Sequence, residues 1–124
     1  MKPAPRITIV DDDASIREAL KGLMRSVQFD VDAFGSAEEF LASERIHDTE
    51  CLILDVYLPG MSGFQLQEHL RAEGHQIPVI FITAHADELS RERALKAGAT
   101  EFLGKPVRRE ILFKAIQAAV ARES

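Results

Sequence analysis

The feature that most constrains this chain is a five-fold alternation of short β-branched runs with longer segments of helical period. That alternation predicts βα units, and hence a parallel sheet with helices on both faces. The predicted strands are 6–10, 31–34, 51–54, 79–82 and 101–103. The first, third and fourth are nearly all apolar, as strands covered on both faces should be. The second is short and less apolar, which predicts an edge. The first helix should open near Ala14 or Ser15, capped by Asp13, with Ile16, Leu20, Leu23 and Val27 along one apolar stripe. After Gly35, Ser36 is the expected cap of the second helix, and Glu39 should complete a capping box. The third helix should open near Ser62 or Gly63 and stop at Gly74. The fourth should run from about Asp87 to Ala97 and end at Gly98, a natural left-handed position. The fifth should follow Pro106 and turn Leu112, Ile116, Ala119 and Val120 inward. No repeat, low-complexity tract or linker interrupts the 124 residues, so one α/β domain with a doubly wound sheet is expected over 1–124.

In an open α/β sheet, ligands bind beyond the carboxyl ends of the strands. Polar residues stand at those positions here. Asp11 and Asp12 follow Arg6-Ile-Thr-Ile-Val10, and Asp55 follows Cys51-Leu-Ile-Leu54. Thr83 follows Pro78-Val-Ile-Phe-Ile82, and Lys105 follows Glu101-Phe-Leu-Gly104. Two like charges about 4 Å apart repel by about 4 kcal/mol at an effective dielectric near 20. Three ionised carboxylates in one cleft therefore call for a cation. Oxygen ligands without His or Cys favour Mg²⁺ over Zn²⁺. A hydroxyl and an ammonium suit phosphoryl oxygens. The set predicts phosphoryl transfer, with Asp55 as carboxylate nucleophile. The loop Leu58-Pro-Gly-Met-Ser-Gly63 holds a Pro-Gly turn and a second glycine that permits unusual backbone angles, and it can bring a main-chain carbonyl near a metal. Lys105-Pro106 is a candidate for a cis peptide bond.

The charge balance narrows the partners. A net charge of −5 argues against a broad basic face for nucleic acid. Arg91, Arg93 and Lys96, and the pair Arg108 and Arg109, read as solvated helix surface. Cys51, alone in the chain and inside an apolar strand, reads as a reduced core residue of a cytoplasmic protein. Nothing near the N-terminus resembles a signal peptide, and no run approaches the ~20 apolar residues of a membrane span. His47, His69, His75 and His85 show no metal-ligand spacing, and surface or loop positions are expected for them.

As a set, Val10-Asp-Asp12, Leu54-Asp55, Leu58-Pro-Gly-Met-Ser-Gly63, Ile82-Thr83-Ala84, Lys96-Ala-Gly-Ala99 and Lys105-Pro106 resemble the receiver domain of two-component response regulators over essentially the whole chain. The resemblance implies a flavodoxin-like three-layer sandwich with strand order 2-1-3-4-5. It implies that Asp55 accepts a phosphoryl group from a sensor histidine kinase with Mg²⁺ bound. Asp12 would hold the metal directly and Asp11 through water, helped by the main-chain carbonyl of Tyr57. Thr83 would move toward the phosphoryl group, Lys105 would pair with it, and Phe102 would be the switch aromatic. The output surface would be the fourth helix, fifth strand and fifth helix, where phosphorylation can also drive homodimerisation. The Leu-Pro-Gly-Met-Ser-Gly phrase and the Lys-Pro context are most similar to receivers that precede a helix-turn-helix domain controlling transcription. The chain ends soon after its fifth helix, and the expectation is a stand-alone receiver or an excised one. Tyr57 and His85 flank the phosphorylation position.

Two other functions fit parts of the pattern. Asp11-Asp-Asp-Ala-Ser15 resembles the haloacid-dehalogenase-like phosphatases, with Asp11 as nucleophile and Asp13 as acid/base. Such enzymes usually need more chain for a cap. A receiver-like interaction module without phosphorylation is the other, and the intact acid set argues against it. The receiver resemblance implies a switch that catalyses its own phosphorylation and dephosphorylation, not an enzyme acting on other molecules.

Overall fold

A computed structural model describes residues 4–121. Along the chain run β1 (Arg6–Val10), α1 (Ala14–Ser26), β2 (Asp30–Phe34), α2 (Ala37–Ala42), β3 (Cys51–Leu54), α3 (Gly63–Ala72), β4 (Val79–Thr83), α4 (Glu88–Lys96), β5 (Glu101–Gly104) and α5 (Arg109–Ala121). All strands are parallel, in the order β2-β1-β3-β4-β5. The register pairs Val10 with Leu54, Leu54 with Phe81, and Thr83 with Gly104. Strand ends that are level in this way bring the residues just past them to one edge.

Side chains alternate across a strand, so each central strand feeds two cores. Ile7, Ile9, Cys51, Ile53, Ile80 and Ile82 pack with Leu20 and Met24 of α1 and Leu112, Ile116 and Ala119 of α5. Val10, Leu52, Leu54, Val79 and Phe81 face the other way, against Ala37 and Phe40 of α2, Leu66 and Leu70 of α3 and Ala94 of α4. The predicted three layers follow directly. Among the described residues no helix is long and apolar enough to cross a membrane.

Several local expectations shift. In α1 the fully buried residue is Met24, while Val27 is the exposed C-cap and leaves the apolar stripe. The helix stops there because Gln28 takes φ +63, letting Phe29 N–H donate to Met24 O and Gln28 N–H to Arg25 O. α3 and α4 end the same way, with Gly74 and Gly98 at the left-handed position. Ser36 caps α2 through the Glu39 amide, but the Glu39 carboxylate meets the N–H of Gly35, one residue before the cap. The complete capping box belongs to α3, between Ser62 and Gln65. A 3₁₀ turn at Glu44–His47, not predicted, precedes β3. α5 begins only at Arg109.

Candidate functional site

Asp11 leaves β1 with its N–H on Phe34 O at 3.1 Å, and the Arg17 guanidinium donates to its main-chain carbonyl at 2.8 Å. Asp55 leaves β3 with its N–H on Val10 O at 3.1 Å. Both side chains are buried, whereas Asp12 is exposed. One carboxylate oxygen from each of Asp11, Asp12 and Asp55 lies within 4.8 Å of the others. The backbone therefore delivers the three predicted acids to one point.

Lys105 joins them from the end of β5. Its Nζ donates to Asp11 Oδ2 at 2.8 Å and to Asp55 Oδ2 at 2.9 Å. Burial alone would lower the pKa of this ammonium, but the hydrogen bonds to Asp11 and Asp55 outweigh it and hold the pKa above its usual value. The lysine thus offsets the repulsion between two buried carboxylates. The remaining oxygens are taken by main chain: Asp13 N–H donates to Asp11 Oδ1 at 2.9 Å, and Tyr57 N–H to Asp55 Oδ1 at 3.3 Å. An all-oxygen cluster with one solvent-facing member fits a hard divalent cation that keeps several waters.

Thr83, the last residue of β4, is fully buried. Its carbonyl accepts the Lys105 N–H at 2.8 Å, and its hydroxyl accepts the His85 N–H at 3.3 Å, leaving the hydroxyl proton available to donate. The Lys105-Pro106 peptide is cis. Phe102 is buried, its ring 6.0 Å from that of Phe81, and Arg91 donates to its carbonyl at 2.9 Å. Tyr57 and His85 bring their rings edge to face, with centroids 5.4 Å apart.

Gly63 serves a different purpose from the one its place in the loop suggested. Among the positive-φ residues the loop contributes Gly60 and not Gly63. A Cβ at Gly63 would stand 2.2 Å from the carbonyl oxygen of Asp55, so only glycine lets α3 start this close to the phosphoacceptor candidate. Asp13 lies outside the acid cluster, because its Oδ1 accepts from Ser15 N–H, Ile16 N–H and Ser15 Oγ as the cap of α1. Arg91 and Arg93 are more than solvated surface, since Arg91 grips β5 and Arg93 lies 4.3 Å above the Phe64 ring. Arg17 was missed altogether. The signal for it is slight: a cation near the start of a helix opposes the dipole and calls for a local partner.

The response regulator receiver domain matches residues 7–117. The chain belongs to that family. Among its relatives, this receiver is 47% identical over 117 residues to Nodulation protein W of Bradyrhizobium diazoefficiens, covering 94% of this chain and 52% of that protein. It is 40% identical over 118 residues to the transcriptional regulatory protein TdiR of Thauera aromatica, covering 95% and 52%. The solved structure of the response regulator StyR superposes with a TM-score of 0.88 at 46% identity, over 96% of this chain and 60% of that one. The receiver thus spans about half the length of the curated relatives it matches.

Proposed function

We propose that this receiver takes a phosphoryl group on Asp55 from the phosphohistidine of a sensor kinase. A carboxylate oxygen of Asp55 attacks phosphorus, the P–N bond breaks, and the imidazole leaves with the bonding pair and gains a proton from solvent. The product is an acyl phosphate. Asp11, Asp12, Asp55 and the Tyr57 main-chain carbonyl would hold Mg²⁺, Asp12 as direct ligand and Asp11 through water. Bound there, it would neutralise charge on the phosphoryl oxygens. Lys105 keeps Asp11 and exchanges Asp55 Oδ2 for a phosphoryl oxygen. Thr83 turns its hydroxyl from the His85 amide to another. That movement, with Phe102 beside it, changes the α4-β5-α5 surface.

The observation that carries this reading is the convergence of three carboxylate oxygens within 4.8 Å, with the Lys105 ammonium on two of the residues. Asp13, the acid/base candidate of a phosphatase built on Asp11, is instead engaged as the cap of α1. Relatives named as transcriptional regulators support an output in transcription, delivered in the cytoplasm by a domain beyond the receiver. The receiver itself, one unit over 1–124, touches no nucleic acid in this reading. Incubation with acetyl phosphate and Mg²⁺ should add the mass of one phosphoryl group, lost on chelation and in Asp55→Asn. Turnover of a phosphate ester that needs Asp11 and survives Asp55→Asn would instead identify a phosphatase. No response to acetyl phosphate or beryllofluoride would leave an interaction module.

A further inference from the structure

Glu38 lies exposed in the first turn of α2, yet its carboxylate reaches another part of the chain. Its Oε2 accepts the main-chain N–H of Met61 at 2.8 Å, across 23 positions of sequence. That bond holds the Glu38 carboxyl below the usual carboxylate range. Gly60 completes the fit. It takes φ +75, and a Cβ on it would stand 2.6 Å from Glu38 Oε2. A side chain at position 60 would therefore be strained and would also push the carboxylate away.

Gly60 and Met61 belong to the loop between Asp55 and α3. Gly63 N–H on Val56 O at 2.9 Å closes the loop base, and the Ser62–Gln65 capping box fixes its exit. Leu58 is sunk into the core that includes Ala37 and Phe40 of α2. Among the described residues, the turn from Leu58 to Met61 makes one hydrogen bond, and Glu38 accepts it.

We propose that Glu38 is a positioning residue for the phosphoacceptor site. It ties the β3–α3 loop to α2, and so sets the Tyr57 main-chain carbonyl where a divalent ion held by Asp11, Asp12 and Asp55 meets it. The proposal rests on the Mg²⁺-dependent reading of Asp55. A loop ordered before the ion arrives loses less freedom when it binds. Partners that orient metal ligands typically change affinity by about 10–100-fold when removed.

Two variants separate reach from charge. Glu38→Asp keeps the charge, remains favourable in a helix first turn, and falls one methylene short of Met61. Glu38→Gln loses the charge but keeps an acceptor at the same reach. Met61 amide exchange in metal-free protein and Mg²⁺ affinity by calorimetry are then measured for both. In Glu38→Asp the Met61 amide should exchange faster and Mg²⁺ should bind about tenfold more weakly, with the thermal midpoint little changed. Glu38→Gln should stay within about threefold of the parent on both counts. Unchanged exchange in Glu38→Asp overturns the tether whatever the ion does. Faster exchange with unchanged Mg²⁺ affinity overturns the positioning role, as does a loss in Glu38→Gln equal to that in Glu38→Asp. A parent protein that binds no Mg²⁺ but shows the exchange difference would instead sink the phosphoacceptor reading and leave the tether standing.

Discussion

Lys105 occupies the point where charge is most concentrated. With Asp11 and Asp55 both buried, removing the ammonium leaves two carboxylates facing each other. Lys105→Ala should lower metal-free stability by about 1–2 kcal/mol, the lower end for charged hydrogen bonds because the ammonium is still partly hydrated. Denaturation with and without Mg²⁺ checks this, and the cation should restore much of the loss. The same variant should impair the phosphorylation-induced change more than Mg²⁺ binding, because the lysine is read as a phosphate partner and the acids as the metal partners. An intact change would remove that role from Lys105. At Gly63 the constraint is steric. Gly63→Ala puts a methyl group 2.2 Å from the Asp55 carbonyl oxygen, so the loop or the aspartate must move. A loss on the order of 3 kcal/mol and a strongly slowed reaction with acetyl phosphate are expected, read by urea unfolding and intact mass. The chemistry of these residues was visible in the sequence, since acids, hydroxyl and ammonium stand directly after apolar runs. The glycine's true reason was not. A close approach between Gly63 and Asp55 depends on how α3 leaves the loop, and spacing does not encode that.

Among the elements, helix ends show what sequence can and cannot disclose. Gly74 and Gly98 marked their stops because glycine tolerates positive φ. Gln28 gave no such mark, although α1 stops by the same hydrogen-bonding pattern. Relieving its left-handed backbone with Gln28→Gly should raise stability by roughly 1 kcal/mol, seen as a higher thermal midpoint. The stripe in α1 was misassigned for a related reason: a chain leaving the helix at Val27 carries that side chain away from the core, and Met24 takes its place. At the start of α4, the Ser90 amide on Asp87 holds its carboxyl below the usual range. Its folded pKa thus lies below the unfolded value of about 4, so the stabilisation is present above that value and fades as pH falls through the folded one. Asp87→Ala should therefore lower the thermal midpoint by a few degrees at neutral pH, with the gap to the parent closing below about pH 4. A gap constant from neutral to acid pH would remove the capping role. α4 is the helix to examine, because Ala94 is its sole buried residue.

For the molecule as a whole, two cores share one sheet, and the candidate site residues collect at a single edge. The alternation of runs made that layout legible, while the strand order came from family resemblance and not from spacing. Large apolar residues are exposed on both of the outer helices: Leu89 and Leu95 on α4 and Ile111 on α5. In the proposed switch this surface receives the signal. Beryllofluoride with Mg²⁺ should therefore raise the sedimentation coefficient, and Leu89→Lys should suppress the rise. An unchanged coefficient in the parent would argue against self-association. Tyr57 carries a last consequence. It is the sole tyrosine of a chain without tryptophan, half exposed and two residues past Asp55. Tyrosine emission from this protein therefore originates two residues from the proposed phosphoacceptor. The molecule thus carries its own optical probe for testing the proposed ion capture and acyl-phosphate turnover without any dye.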